Sequence, residues 1–187
     1  VVVLSPEEQP ITKGPPVKRR QFIDKMFSVS MVDYVNTLKK YRRVLKQRNA
    51  ALLLVKENKS TVAELKHWDE QLVDAGAKLW LMRVDLITQF KNNVKSMIQR
   101  YDSSIQFEIV YFDEAPREET YRKQVRDALN TDLALGRTTV GPHRDDALFV
   151  WDKRDLRNFG SQGEHKLALV LLKLAEMCFI RDNTGSY

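Results

Sequence analysis

The feature that most constrains the fold is a set of apolar residues that recurs every three or four positions between Leu65 and Tyr101. That period predicts an amphipathic α-helix. At a rise of 1.5 Å per residue, a helix of roughly 40 residues would extend about 60 Å. Such a helix either bends or breaks near Gly76 or forms one arm of a long antiparallel helical hairpin. In both cases the apolar stripe is core or coiled-coil packing.

Shorter patterns before this helix predict three further elements. "VVVLSPEE" reads as a strand, and the Gly-Pro-Pro that follows it reads as an irregular connector. A helix with a basic outer side begins at Met31. Thr61 and Glu64 have the spacing of a capping box at the start of the long helix.

After the long helix the period changes from about 3.6 to two, which predicts strands. "IQFEIVYF", from Ile105, alternates as a half-buried strand does. A helix follows from about Glu119 to Leu135 and ends at Gly136. "RTTVG" and "ALFVWDKRDLRNF" then read as strands, the second folded into a hairpin at Asp152-Lys153.

Charge is unevenly distributed along the chain. Residues 13–56 hold 12 lysines and arginines against two acids, a local charge of +10, whereas the other residues sum to −4. A basic block in an otherwise acidic chain is typical of a surface that binds a polyanion such as nucleic acid. A solvated helix face is the alternative interpretation.

Composition and chain ends give further expectations. No apolar run approaches the roughly 20 residues that cross a bilayer, so no membrane partner is expected. Cys178 is the only cysteine, which favours a reducing, cytoplasmic compartment. Histidines and cysteine without ligand spacing predict no zinc site. Because the chain starts at Val1 and stops just past a predicted helix, we expect an internal segment of a longer protein.

The stretch "FGSQGEHKLALVLLKLAE" predicts an apolar helix with an unusual start. A helix that begins near Ser161 presents unpaired N–H groups and the positive end of its dipole. Gly160 and Gly163 leave room for close approach, and the Ser161 hydroxyl is a further donor. These residues predict an anion site. A plain serine N-cap beside two glycines is the alternative.

Familiar catalytic motifs are absent from the sequence. "FGSQG" is not a nucleophile elbow, because Phe159 occupies the position that requires glycine. "HRDD" is not a kinase catalytic loop, because Val150 stands where asparagine is needed. No G-x-x-x-x-G-K-[ST] P-loop occurs. The chain therefore has no complete catalytic site, and a hydrolase built on Ser161 lacks an activating base.

Several motifs resemble the RecF family of bacterial DNA replication and repair proteins. The strongest are "VGPHRDDALFV" and "NFGSQGEHKLALVLLKLAE". The likeness continues upstream through "VVVLSPEEQPITKGPPVKRRQFIDKMF", "YRRVLKQRNAALL" and "WDEQLVDAGAKL". It covers nearly the whole chain in the right order.

The resemblance implies the fold, because RecF proteins are similar in plan to the ABC-type ATPase heads of SMC and Rad50 proteins. We expect an α/β, α+β-like fragment with a long helical lid hairpin, short strands and a signature-motif helix. The implied parts are an edge strand of ATPase lobe I at 1–12, a helical lobe II or lid with a basic face at 13–104, a strand, helix and hairpin region at 105–160, and the signature helix at 161–187.

The resemblance also implies a nucleotide contact in trans. In that family the signature motif touches the γ-phosphate of ATP held by the P-loop of a second head. Ser161 would donate its hydroxyl and Gly163 its backbone N–H. Glu164 stands where glutamine is usual, and its carboxylate would repel the phosphate unless it points away or pairs with Lys166. The implied ATP-contacting residues are Gly160, Ser161, Gln162 and Gly163.

ATP and Mg²⁺ are the cofactors implied for the longer protein, which would be a slow DNA-dependent ATPase. Neither is expected to bind this chain alone, because the implied P-loop and Walker B strand lie outside it. Phosphoryl transfer needs a phosphate cradle, a metal and a positioned water. We therefore expect the isolated chain to be inactive as an ATPase.

"GPHRDD" is a hallmark of the resemblance with two possible roles. Asp145 and Asp146 could pair with Arg144 or with the arginines of the "KRR" segment. A structural salt-bridge cluster and a relay of nucleotide state to DNA both stay open. The motif comprises Gly141, Pro142, His143, Arg144, Asp145 and Asp146.

The implied partners are DNA, RecO and RecR, and indirectly RecA. A RecF-type protein would form an ATP-dependent homodimer, bind the DNA backbone without sequence preference, and help load RecA at gaps in the bacterial nucleoid. The candidate phosphate contacts are Lys18, Arg19, Arg20, Lys39, Lys40, Arg42, Arg43, Lys46 and Arg48. A non-catalytic, SMC-like helical structural or interaction module is the second hypothesis.

Overall fold

The computed structural model describes residues 6–185, which form two compact units. The sheet unit comprises the described residues of Val1–Val32, Val84–Asp113 and the described residues of Asp146–Tyr187. The helical unit comprises Asp33–Arg83 and Glu114–Asp145. None of the helices in residues 6–185 has both the length and the apolar character that a membrane span requires.

The described elements are mostly helical, with one small sheet. Three 3-10 turns occur at Pro6–Glu8, Val62–Glu64 and Pro142–Arg144. The other elements are α1 (Pro10–Lys13), α2 (Pro16–Ser30), α3 (Val32–Lys56), α4 (Leu65–Tyr101), β1 (Phe107–Val110), α5 (Glu118–Asp127), α6 (Leu129–Leu135), β2 (Leu148–Trp151), β3 (Arg154–Asp155), α7 (Leu156–Phe159) and α8 (Gln162–Thr184).

In the helical unit, α3 and the first half of α4 run antiparallel. Polar contacts join the two helices along their length. Residues further along α3 contact residues earlier in α4, as antiparallel helices require. The contacts are Tyr34–Arg83 at 3.1 Å, Lys40–Asp74 at 2.6 Å and Arg48–Asp69 at 2.6 Å. The predicted antiparallel helical hairpin is therefore confirmed over this length.

Helix α4 runs unbroken from Leu65 to Tyr101, so the alternative of a break near Gly76 is wrong. The glycine has a packing role instead. A Cβ at Gly76 would lie 2.6 Å from the Tyr121 ring. Gly76 thus makes room for the buried tyrosine of α5, and the helix accepts its lower helix propensity at that position.

In the sheet unit, the strands form an antiparallel sheet in the order β1-β2-β3. Phe107 and Ile109 are buried on one face, and Phe107 contacts the rings of Phe149 and Trp151 at 5.9 Å between centroids. This alternation confirms the strand predicted in "IQFEIVYF".

The predicted hairpin at Asp152-Lys153 is also confirmed, but its second strand ends at Asp155, and Leu156–Phe159, predicted as strand, is helical. Asp152 and Lys153 both have positive φ, 46° and 63°, as a two-residue type I′ turn requires. The turn joins β2 to β3 and places the Lys153 side chain at the end of the sheet, where it is exposed.

Aromatic packing joins the helices of the sheet unit. Helix α2 packs on α8, where the rings of Phe27 and Phe179 lie 5.3 Å apart. Phe90 from the second half of α4 contacts both Phe179 and Phe22 at 6.1 Å. The apolar helix α8 is thus anchored in a core, as its composition predicts.

Some predicted elements differ from the structure. Residues 1–5 of the predicted first strand lie outside the described residues, and residues 6–8 and 10–13 are helical. The predicted connector shrinks to Gly14-Pro15, because proline is tolerated at the first turn of α2. Thr61 makes no side-chain capping bond, so the predicted capping box is wrong.

"RTTVG" is not a strand, because its donors bond to side chains. The N–H of Thr138 donates to Asn49 Oδ1 and that of Thr139 to Asp132 Oδ1, both at 2.8 Å. The helix predicted from 119 to 135 divides at Ala128 into α5 and α6. Its predicted end is confirmed, since Gly136 adopts the left-handed conformation with φ 66°.

Replacing Arg48 by methionine should destabilise the chain by about 3–5 kcal/mol, because it leaves the fully buried Asp132 carboxylate without its cation. Lys40→Met on the same helix breaks only an exposed pair with Asp74 and should cost less than about 1 kcal/mol. Urea unfolding of both variants measures the difference. Equal effects would contradict this assignment.

Candidate functional site

Helix α8 begins at the serine of the predicted signature with a complete capping box. Ser161 Oγ accepts from the Glu164 N–H at 3.3 Å, and the Glu164 carboxylate accepts from the Ser161 N–H at 2.6 Å. The sequence alone left a plain serine cap and an anion site open, and the cap is present. This bond to the Ser161 N–H lowers the pKa of Glu164, so the carboxyl is ionised at neutral pH.

The capping box leaves other donors of the first turn available. Ser161, Gln162 and Gly163 are exposed. The N–H groups of Gln162 and Gly163 lie in the first turn, where an α-helix provides no carbonyl partner. Since Ser161 Oγ acts as an acceptor in the box, its hydroxyl proton can still be donated. Two amides, one hydroxyl and the helix dipole can therefore meet an anion.

The two glycines of the stretch are needed for different reasons. At Gly160 a Cβ would lie 2.5 Å from the Leu156 carbonyl oxygen and 2.6 Å from its side chain, so the turn from α7 requires glycine. At Gly163 the nearest atom to a Cβ would be Ser161 Oγ at 3.9 Å. Gly160 is explained by local packing, whereas nothing in the described residues requires Gly163.

Glu164 is turned back on the helix start. Its carboxylate bonds the Ser161 N–H rather than pairing with Lys166, which was one of the two alternatives considered from the sequence. Arg154 in β3 is close enough to lower the pKa of Glu164 further. The negative charge at the signature is thus held in place and partly offset by an arginine.

His165 is a site residue that sequence reasoning missed. It is buried beneath the turn, with Nε2 3.1 Å from the position of a Cβ on Gly160. Burial lowers the pKa of His165, with nearby Lys13 as a second cause, so the ring is neutral at neutral pH. Its place directly after the capping glutamate is the only sequence signal that points to it.

The first half of "GPHRDD" is fixed by groups of the helical unit. Gly141 has φ 129°, and a Cβ there would lie 2.7 Å from the Tyr41 hydroxyl. His143 lies between that hydroxyl, 2.6 Å from Nδ1, and the Thr138 carbonyl, 3.1 Å from Nε2. A carbonyl only accepts, so Nε2 carries the proton and Tyr41 donates to Nδ1. Burial raises the pKa of Tyr41 well above its ordinary value, which keeps it a donor.

The two aspartates of the motif bind different partners. Asp145 is buried in the helical unit, where it accepts from Trp80 Nε1 at 2.5 Å and faces Arg83 at 3.5 Å. Arg83 also donates to the Pro142 carbonyl at 2.6 Å. In the sheet unit, Asp146 makes a two-pronged pair with Arg19, with both N–O distances 2.7 Å.

These contacts fit the salt-bridge alternative for "GPHRDD". Asp146 pairs with an arginine of the "KRR" segment, as anticipated, whereas Asp145 uses Trp80 and Arg83 rather than Arg144. The Arg144 side chain is exposed. A relay of nucleotide state remains a prediction.

Two of the predicted phosphate contacts are not at the surface. Arg19 is 2% exposed and bonds Asp146 and the Gly14 carbonyl. Arg48 is fully buried and bonds Asp69, Asp132 and Thr138. Both guanidinium groups are used for internal pairs, and we remove them from the candidate nucleic-acid surface.

The other predicted contacts divide between the two units. Lys18, which is exposed, and Arg20, which is half-buried, belong to the sheet unit. The remainder lie on α3 and are exposed: Lys39, Lys40, Arg42, Arg43 and Lys46. Of these, Lys40 pairs with Asp74 at 2.6 Å. Spacings of three and four residues from 39 to 46 place a basic stripe on one side of the helix.

Comparison with known proteins shows which proteins this chain is similar to. No protein-family model matches the chain. DNA replication and repair protein RecF of Heliobacterium modesticaldum is 33% identical over 194 residues, which cover 100% of this chain and 52% of that protein. RecF of Halothermothrix orenii is 35% identical over 202 residues, covering 100% and 53%.

Solved structures agree with the curated relatives. A structure of the recombination mediator protein RecF with ATP, from the RecFOR pathway, superposes with a TM-score of 0.92 at 29% identity, over 99% of this chain and 52% of that chain. The predicted resemblance to RecF is confirmed. The chain spans about half the length of the RecF relatives it matches. The predicted fold, an α/β, α+β-like fragment with a long helical hairpin and short strands, is confirmed as well: the described residues are mostly helical with one small antiparallel sheet, and they match the structure of RecF.

Alanine substitutions at the two signature glycines should have opposite effects on stability. Gly163→Ala meets open space and should stabilise the chain by about 0.5–1 kcal/mol through helix propensity. Gly160→Ala meets the Leu156 carbonyl and should destabilise it by about 1–3 kcal/mol. Urea unfolding of the two variants tests this, and a destabilised Gly163→Ala would show that the fold itself needs this glycine.

Proposed function

We propose that this chain is the central segment of a RecF-type, ATP-dependent DNA repair protein and that it supplies an ABC signature to a second copy. The observation that carries the proposal is Gly163. A side chain there would meet no obstacle within the described residues. The position nevertheless holds glycine, which has a low helix propensity, at an exposed turn with free N–H groups. A ligand from outside the chain gives that glycine a purpose.

The ligand we propose is the γ-phosphate of ATP held by the P-loop of another copy. The Ser161 hydroxyl and the Gly163 N–H would donate to it, and Gln162 would contribute its N–H. The capping box supports this assignment, because it fixes the serine without using the hydroxyl proton. The chain contains no P-loop, so ATP and Mg²⁺ would bind elsewhere in the longer protein, where Mg²⁺ supplies charge neutralisation of the phosphates.

Glu164 gives this signature a charge that a glutamine would lack. Its bond to the Ser161 N–H and the proximity of Arg154 hold the carboxylate toward the start of the helix. Glu164→Gln keeps an acceptor for the same N–H. We therefore propose that the charge of Glu164 weakens phosphate binding relative to glutamine, and that Glu164→Gln would remove this charge without disturbing the start of the helix.

We also propose that the α3 stripe contacts the DNA backbone. Its exposed cations lie on helix α3, which the buried ion pair between Arg48 and Asp132 anchors. Helix α3 belongs to the helical unit, and we propose this unit as the lid in place of the continuous range 13–104 predicted from the sequence. Phosphate contacts position a protein on DNA without reading its sequence. The proposed footprint comprises Lys39, Lys40, Arg42, Arg43 and Lys46.

The partners follow from the relatives. A recombination mediator RecF of the RecFOR pathway is the protein whose structure this chain matches. We propose that the longer protein acts with RecO and RecR to load RecA at DNA gaps in the bacterial nucleoid. We also propose that the longer protein forms a homodimer when it binds ATP and that it hydrolyses ATP slowly.

One observation favours a second function, a non-catalytic helical module of SMC type. Helix α4 is 37 residues long and pairs antiparallel with α3. A module of this kind would need neither the free amides at α8 nor a glycine at 163. Nucleotide-dependent pairing distinguishes the two functions.

Neutralising three residues of the stripe should flatten the salt dependence of DNA binding. Lys39→Gln, Arg43→Gln and Lys46→Gln together should reduce the slope of log K against log salt by up to about 2.7, since each lost phosphate contact contributes about 0.9. Fluorescence anisotropy with duplex DNA measures the slope. The control is Lys123→Gln, Arg126→Gln and Arg137→Gln, which are also exposed in the helical unit. An equal change in both variants would remove α3 from the footprint.

Substitutions in the signature should weaken ATP-dependent pairing of the longer protein without unfolding it. Ser161→Ala and Gly163→Ala should each raise the dimer dissociation constant by about tenfold, the first because it removes a charge-assisted hydrogen bond and the second because its methyl group obstructs the close approach of the phosphate. Sedimentation with a non-hydrolysable ATP analogue measures this. Lys166→Ala, one turn further along α8, should change it by less than about twofold. Unchanged dimers in both signature variants would refute the trans contact and favour the helical module.

A further inference from the structure

A groove in the sheet unit is lined by residues that have no part in the proposed function. It runs between the second half of α4 and β1 and has a volume of about 600 Å³. Its floor is apolar and includes Ile98, Ile105, Phe107 and Ile109. A volume of this size falls within the range of ligand-binding clefts in proteins.

Strand β1 lines this groove with Phe107, Glu108 and Ile109, and one of its two edges is unpaired within the described sheet. Asp152 donates its N–H to the Gln106 carbonyl at 2.9 Å, which sets the alternation of the β1–β2 ladder. By that alternation, Glu108 and Val110 exchange hydrogen bonds with β2, whereas Phe107 and Ile109 point their N–H and C=O groups away from it. Within the described sheet β1 is an outer strand, and these groups make no hydrogen bond to another described residue.

Lysines surround the groove. Lys91 and Lys95 come from α4 and Lys153 from the type I′ turn, while Glu108 is the only acid among the described residues that line it. In the part of the chain that the structure describes, none of the three lysines forms an ion pair. The rim therefore carries a net positive charge that is not neutralised locally.

We propose that this groove binds an extended, acidic polypeptide segment by strand addition to β1. The unpaired N–H and C=O groups of Phe107 and Ile109 would continue the sheet. Side chains of the added strand would alternate between the apolar floor and the solvent side, where carboxylates would meet the lysines.

Two properties favour a polypeptide over a nucleic acid. A phosphate backbone has no donors and acceptors at the spacing of a strand edge, so it would leave the β1 groups unpaired. Single-stranded nucleic acid is usually held by stacking on aromatic side chains. Among residues 6–185, the one aromatic residue that lines the groove is Phe107, which is 6% exposed and offers no stacking face.

The test uses the chain and a fluorescent peptide of about six residues, the length of an ordinary strand, in which valine and glutamate alternate. Two further versions carry N-methyl groups on one or the other alternate set of amides. Strand addition uses only one set, so one version should bind about fivefold or more weakly and the other about as well as the parent. Equal binding of the two versions, or no binding of the parent peptide, would overturn the proposal.

Charge reversal provides the second arm of the test. Lys91→Glu with Lys95→Glu should weaken binding of the parent peptide by at least about tenfold and favour a peptide in which lysine replaces glutamate. Lys123→Glu with Arg126→Glu, exposed in the helical unit, should leave binding unchanged. Equal effects of the two pairs would overturn the proposal.

Two outcomes would identify a different occupant. Competition by oligothymidylate as strong as by unlabelled peptide would replace the polypeptide with nucleic acid. Binding to this chain but not to the longer RecF-type protein would show that another part of the same polypeptide fills the groove.

Discussion

The helical unit depends most on one buried ion pair, because a buried charge requires a partner. Arg48 and Asp132 have side chains with no exposure to solvent, and their 2.6 Å contact joins α3 to α6. Removing one partner of such a pair costs several kcal/mol, because the other charge stays buried. The same guanidinium reaches Asp69 on α4 and Thr138 beyond α6. One arginine thereby fixes four segments of the helical unit.

The same rule organises the "GPHRDD" segment. Thr138 and Thr139 are held by side chains around Arg48, and His143 is held in turn by the Thr138 carbonyl. Asp145 then bonds Trp80 within the helical unit, and Asp146 bonds Arg19 within the sheet unit. This chain of contacts explains why so many polar residues occur in so short a stretch. It also explains why two arginines of the basic block are unavailable to DNA.

The sequence predicted elements well and buried polar contacts poorly. Period and turn chemistry located α4, the β2–β3 hairpin and the Gly136 cap, because local physics decides those features. The "RTTVG" strand failed because two side chains capture its donors: Asn49, which is distant in sequence, and Asp132, in the first turn of the preceding helix α6. Arg48 was assigned to DNA although it stands in the apolar stripe between Leu45 and Leu52. An arginine at a core position of an amphipathic helix predicts a buried ion pair, and this signal was present in the sequence.

The central claim is that the first turn of α8 completes a nucleotide site of another copy. Mixing two weakened variants of the longer protein tests it most directly, one with its P-loop lysine replaced and the other carrying Gly163→Ala. If the signature acts in trans, the mixed dimer holds one intact composite site, so ATP-dependent dimers should form at a protein concentration at which neither variant alone forms them. If the mixture stays as monomeric as its components, the signature does not act across two copies and the account is contradicted.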